Sequence, residues 1–189
     1  MALRTFGASL PDCGMTRSVS PLAQGSSNDR YRTLYTHDNR FGMILTRTFM
    51  SDFQTTVRTT NVLSADGRNI IRTYTYQNNT RMTRTDFLHD TFGNVTEIRE
   101  FPHSMGNDFI ATRITYDRGT LPSAIRTENV RDANGLLIGN NGIVERRFTY
   151  NNMWRTLTET DPNGYTTRWE YDAIGRVTRI TLPNGGITT

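Results

Sequence analysis

The chain has 189 residues, 35% of them hydrophobic and 21% charged, with a formal net charge of +4; a length of that order holds one domain and at most a short tail. No window approaches the ~18 apolar residues of a membrane helix, and Met1 to Gly25 lacks the apolar stretch of a signal peptide. The sequence therefore predicts no membrane insertion. All 22 Lys and Arg residues are arginine, spread along the chain among Thr, Glu and Asp instead of in a patch, which argues against nucleic acid as a partner.

Residues 1–29 carry turn formers and no sustained period, and predict a flexible leader. From residue 30 to 189 the texture changes. Short runs of Thr, Arg, Ile, Val and aromatics alternate with period two, separated by clusters of Asp, Asn, Gly and Pro, which is the signature of strands and hairpins. Strands are expected over 31–36, 43–49, 53–59, 70–76, 81–87, 95–101, 109–116, 124–130, 143–150, 154–160, 165–171 and 176–182. The chain is read as all-β. Tyr165, Trp169 and Tyr171 oppose Thr166, Arg168 and Glu170, and Val144, Phe148 and Tyr150 oppose Glu145, Arg147 and Thr149. Side chains alternate across a strand, so this describes a sheet with one packed and one wet face. Asp66-Gly67, Asn134-Gly135, Asn141-Gly142, Asn163-Gly164 and Asn184-Gly185 supply the residues that tight hairpin turns require.

The last stretch repeats. Asp161-Pro162-Asn163-Gly164-Tyr165 leads through Tyr171-Asp172-Ala173-Ile174-Gly175-Arg176-Val177 to Leu182-Pro183-Asn184-Gly185, where a second copy begins 21 residues after the first. Weaker copies start at His37-Asp38, Tyr76-Gln77, His89-Asp90, Tyr116-Asp117 and Tyr150-Asn151. In physical terms Gly175 supplies conformational freedom for a reversal and Asp172 can accept from backbone amides two residues on. Tyr171 can cover the hairpin base, and Arg176 can pair with Asp172 or stack on an aromatic of an adjacent repeat. Each hairpin is too small to bury its own face, so stability must come from stacked neighbours.

Tyr171, Asp172, Gly175, Arg176 and Val177 match each fixed place of the motif Tyr-Asp-x-x-Gly-Arg-hydrophobic, and on them the chain resembles the YD-repeat, or Rhs-repeat, family. The resemblance implies successive antiparallel β-hairpins forming a twisted β-strip, part of an Rhs-type shell. It implies a non-enzymatic structural segment of a larger secreted or bacterial cell-surface protein, a polymorphic toxin or wall-associated protein. Partners so implied are the remaining repeats or subunits of the same shell and a toxin cargo. The sequence stops inside a repeat and is expected to be one piece of a longer assembly.

Chemistry is sparse. His37, His89 and His103 lie far apart and Cys13 is the single cysteine, so no metal site or cofactor is expected. Asp132-Ala133-Asn134-Gly135 and Asp161-Pro162-Asn163-Gly164 are fragments of a calcium loop without its further acids, and read as turns. No nucleophile elbow or phosphate loop is present, and no catalytic residue is assigned. One other reading is a carbohydrate-binding surface module, with glycans stacking on exposed faces of Tyr165, Trp169 and Tyr171 beside Arg168. The alternation favours packing of those rings between hairpins.

Overall fold

The computed structural model describes residues 6–7, 15–19, 32–50, 55–102, 108–132 and 134–189. Among them every regular element is a strand: β1 (Phe6–Gly7), β2 (Met15–Val19), β3 (Arg32–His37), β4 (Ile44–Met50), β5 (Thr56–Leu63), β6 (Ile70–Gln77), β7 (Thr80–His89), β8 (Val95–Phe101), β9 (Ile110–Asp117), β10 (Leu121–Glu128), β11 (Val144–Tyr150), β12 (Thr156–Thr160), β13 (Thr166–Tyr171), β14 (Val177–Thr181) and β15 (Ile187–Thr188). The strands from β3 to β14 answer one for one to the runs read from the sequence. β1 and β2 fall inside 1–29, ahead of the first expected strand; the rest of that segment, with Cys13, and His103 lie outside the described residues. No helix is long and apolar enough to cross a membrane among the described residues.

The fold is all-β, built of successive antiparallel hairpins. The chain divides into two units, each a strip of such hairpins: one holds residues up to Leu88 together with Glu100–Phe109, the other His89–Arg99 together with Ile110–Thr189. In the first, the register runs from Met15↔Thr36 and Thr36↔Thr46 through Thr46↔Thr60 and Thr60↔Tyr74 to Tyr74↔Arg84. In the second, Ile114↔Ile125, Ile125↔Arg146, Phe148↔Glu159, Thr158↔Arg168 and Trp169↔Ile180 set it.

Burial is thin in both units. Phe101 is 5% exposed, covered by Phe109 at 5.2 Å between ring centroids and by the Arg84 guanidinium 3.6 Å above its ring. In the second unit Ala111 is 1% exposed, and among the described residues no large side chain is fully buried. The expected packed face exists only as half-buried side chains: along Thr167–Tyr171, Thr167, Trp169 and Tyr171 are half-buried while Arg168 and Glu170 are exposed. An open strip covers each face incompletely, so backbone ladders and cross-strand pairs carry much of its order.

Those pairs explain the Thr- and Arg-rich composition. Hydroxyls meet directly across the ladder at Thr36–Thr46 (2.7 Å), Thr112–Thr127 (3.1 Å), Thr149–Thr158 (2.6 Å) and Thr160–Thr166 (2.9 Å). Arg72 grips Asp86 with two parallel bonds of 2.5 and 2.9 Å. Glu97 receives Arg99 at 2.6 Å and Arg113 at 3.4 Å, and Arg113 also pairs with Glu128. Singly such exposed pairs contribute ~0–1 kcal/mol; as a row of neighbours they fix register.

One irregularity recurs beside the turns. The ladder skips one residue just after a turn at Leu45, Ile71, Ser123, Leu157 and Thr178, so that His37, Leu63, Tyr116, Tyr150 and Tyr171 each pair beyond a bulge. A bulge bends its strand and re-aims neighbouring side chains. Here it lies opposite the residue that precedes or ends the strand before the turn.

Candidate functional site

The turns after β3, β5, β7, β9, β11 and β13 close alternate hairpins, and within each unit they stand on one side of the strip. Their shared form is clearest at Asp172. Its backbone N–H donates to the Arg176 carbonyl (3.0 Å), and the Gly175 N–H donates to the Asp172 carbonyl (2.9 Å). The side-chain Oδ1 accepts from the amides of Ile174 (3.1 Å) and Arg176 (2.8 Å), and Arg176 Nε donates to Oδ2 at 2.7 Å. Arg176, followed by these backbone donors, holds the Asp172 carboxyl below its ordinary pKa of 3.8.

The same five-residue closure recurs at Asp90, Asn151, Asp161 and Asp132. Each accepts at Oδ1 from residues two and four places on: Phe92 and Asn94, Met153 and Arg155, Asn163 and Tyr165, Asn134 and Leu136. This assigns Oδ1 of both calcium-loop fragments to backbone amides. Among the described residues no three His, Cys, Asp or Glu side chains gather as a metal site. The position three places on has positive φ, +85° at Gly175 and +67° at Trp154. Trp154 thus occupies a glycine slot, a left-handed conformation that costs a side-chain-bearing residue roughly 1–2 kcal/mol.

A tyrosine before the turns at Asp117, Asn151 and Asp172 reaches back one hairpin. Tyr171 donates to the Thr156 carbonyl (2.7 Å), Tyr150 to that of Pro122 (2.7 Å) and Tyr116 to that of Val95 (2.8 Å). In each case the acceptor opens, or nearly opens, the strand that follows the preceding turn of the row. Burial raises the phenols of Tyr116 and Tyr150 above 10.0.

Turns also reach forward. Asn94 donates to the Gly119 carbonyl at 2.5 Å, Arg118 to the Asn151 carbonyl at 3.1 Å, and Arg155 to the Ile174 carbonyl at 3.4 Å. In the first unit Arg40 does the same to Ala65 at 3.3 Å. The Arg155 guanidinium lies 5.7 Å from the Tyr171 ring centroid and fills the space where a Cβ on Gly175 would stand. Of the two roles considered for the arginine of the motif, Arg176 makes the pair with its own aspartate, and Arg155, in the equivalent slot one turn earlier, lies over the neighbouring aromatic.

Tyr165, Trp169 and Tyr171 are placed differently from one another. Tyr165 is 61% exposed and lines a shallow depression of about 370 Å³ with Arg168, Leu182 and Pro183. Trp169 and Tyr171 are half-buried, Trp169 opposite Ile180 and Tyr171 with its hydroxyl committed to Thr156. Val177, last of the motif residues, is exposed and pairs with Tyr171 across the bulge. The forward donors Asn94, Arg118 and Arg155 were missed by the sequence reading. Their signal is positional, a long donor in or just after a turn, and it has meaning only once the turns are known to stand in a row.

In the second unit hydrogen bonds tie the turns at Asp90, Asp117, Asn151 and Asp172 into one row, each to its neighbour, which is the pattern of a structural repeat array. Residues 155–187 match the model of the RHS repeat family. An alignment of 125 residues with teneurin-3 of Mus musculus is 28% identical and takes in 60% of this chain and 4% of that protein. Two solved structures superpose over 97% of the chain, each at a TM-score of 0.26: the Tc holotoxin pore of Photorhabdus luminescens with a substituted TccC3 (13% identity, 13% of that chain) and a TcdB2–TccC3 complex (14% identity, 14% of that chain). Superposition at that level carries no argument about arrangement, and the chain spans only a small part of each relative. Residues 155–187 thus carry an RHS repeat, and the chain is similar to YD/RHS-repeat proteins.

Proposed function

We propose that the chain is a wall segment: a run of repeats whose task is to extend a β-strip within a larger secreted or bacterial cell-surface assembly, including the wall of a shell around a toxin cargo. The 30–189 region is the repeat region in this reading, acting by geometry and not by catalysis. The observation that carries it is the two-way tie between turns, Tyr171 back to Thr156 and Arg155 forward to Ile174, with almost no buried core among the described residues. Repeats that contact only their neighbours gain stability from each added neighbour.

Scattering and native mass on the 189-residue chain, and on chains lengthened by further copies of the repeat, test this. A wall segment lengthens in steps, becomes more stable with each repeat, and associates through its open edges at high concentration. A compact monomer, indifferent to added repeats, would overturn the reading.

The depression beside Tyr165 favours a second reading, in which an exposed ring and Arg168 receive a glycan. Glycan-array binding that vanishes in Tyr165→Ala, with the far-ultraviolet spectrum retained, supports it. Absence of binding to any glycan in the array would remove it.

A further inference from the structure

We propose that one face of β5, β6 and β7 is a docking surface for an anionic lipid bilayer, with the headgroup phosphates bound by Arg58, Arg72, Arg81 and Arg84. The inference goes beyond the wall-segment reading and does not depend on it.

The sheet gathers arginines that the sequence spreads. Three rows cross these strands: Arg58–Tyr76–Arg81, Thr60–Tyr74–Arg84 and Val62–Arg72–Asp86. Side chains directly opposite one another share a face, so these nine positions hold four arginines and one aspartate, a surplus of three positive charges. Arg81 and Arg84 are three residues apart, and strict alternation places such a pair on opposite faces. The ladder skips Met82, which brings Arg81 round to the face of Arg84. The other face of the same strands carries Thr59, Asn61, Thr73, Thr75, Thr83 and Thr85, none of them charged.

The guanidiniums lie over rings and are only partly neutralised. Arg58 sits 4.6 Å from the Tyr76 ring centroid, and Arg81 and Arg72 sit 5.2 and 5.8 Å from that of Tyr74. Arg72 and Arg84 share the carboxylate of Asp86, at 2.5 and 3.4 Å. The buried Nε atoms of Arg58 and Arg84 have no hydrogen-bond partner among the described residues. Stacking on a ring orients a guanidinium, whose planar fork matches a phosphate. Two features favour a bilayer over a polyanionic thread. The cations spread over three rows and three strands, the strands about 4.8 Å apart, which is a two-dimensional array. The half-buried rings of Tyr74 and Tyr76 are covered by arginine, so nucleic-acid bases find no open platform to stack on, whereas tyrosine suits the boundary between a lipid layer and water.

The test measures co-sedimentation of the 189-residue chain with vesicles of phosphatidylcholine alone and of phosphatidylcholine with phosphatidylglycerol. Binding is expected to the second and not to the first, and is expected to fall as added salt screens the charges. Arg58→Gln and Arg81→Gln should each weaken it about fivefold, the effect of one cation at an anionic surface, and Arg58→Lys, which keeps the charge, less. Arg47 is exposed and pairs with Thr59 on the opposite face, so Arg47→Gln should leave binding near its original level. Far-ultraviolet spectra check that each variant is folded. Equal losses for Arg47→Gln and Arg81→Gln would trace the effect to net charge and overturn the role of this face. Equal sedimentation with both vesicles, none with either, or indifference to salt would overturn the proposal from the unsubstituted chain alone, whatever the variants do. Release of the chain from the vesicles by a single-stranded oligonucleotide, at a phosphate concentration below that of the lipid, would assign the face to nucleic acid and also overturn it.

Discussion

The Tyr171 hydroxyl donates a 2.7 Å hydrogen bond to the carbonyl of Thr156, a residue fifteen positions earlier that opens the strand after the preceding turn of the row. Tyr171→Phe keeps the ring against Arg155 and removes this bond alone. It should cost about 1 kcal/mol, the net value of one such bond, read as a lowered urea midpoint at unchanged slope. Tyr150→Phe should cost about the same, also ~1 kcal/mol, because its hydroxyl is tied in the same way to Pro122.

Glycine slots differ in their surroundings, and substitution should separate them. Gly175 and Gly164 share positive φ, at +85° and +87°, but a Cβ on Gly175 meets Arg155 whereas one on Gly164 meets open space. Gly164→Ala should cost roughly 1–2 kcal/mol for the left-handed backbone, and Gly175→Ala measurably more, because Arg155 must also leave the Ile174 carbonyl. Equal losses in thermal denaturation would remove Arg155 from that space.

Trp154 is the converse case. Trp154→Gly relieves roughly 1–2 kcal/mol of left-handed strain against ~0.5–1 kcal/mol of extra chain entropy. The expected outcome is a small rise in melting temperature. Trp154→Ala, which keeps the strained backbone, should give no rise.

Asp172→Asn retains Oδ1 as acceptor for Ile174 and Arg176, as Asn151 does in its own turn. It should therefore be tolerated far better than Asp172→Ala, which leaves both amides without their partner. Denaturation midpoints of the two variants decide this, and equal midpoints would contradict it.

Stability should fall at both ends of the pH scale. Asp90 is held below 3.8, first by Asn94 and then by backbone donors, and Asp172 by Arg176 and its own turn. A depressed folded pKa contributes stability that is present above the unfolded value and lost as pH drops through the folded one, so the acid loss belongs below about pH 3.8. Tyr116 and Tyr150 are raised above 10.0 by burial, and their contribution is complete below that value and lost as pH climbs through the folded pKa. Asp90→Asn with Asp172→Asn should flatten the acid limb of a pH–melting curve, and Tyr116→Phe with Tyr150→Phe the alkaline limb.

Alternation of Thr and Arg with apolar residues set the strands from β3 to β14, and Asx residues followed by glycine set the turns, because both depend on the short-range geometry of the backbone and its neighbouring side chains. The role of Asp172 toward the amide two places on was likewise legible, since donor and acceptor lie within one turn. The sequence could not say that Arg155 would cover Tyr171, that Tyr150 would reach Pro122, or that Asn94 would join Gly119. Those partners are 16, 28 and 25 residues apart, and only the antiparallel pairing of the strands brings them side by side. Tyr165, Trp169 and Tyr171 share one period-two face in the sequence, yet the fold leaves the first exposed at the strand's start and folds the other two against neighbouring strands. Local chemistry decided what each hairpin is, and the sheet ladder decided what each hairpin touches.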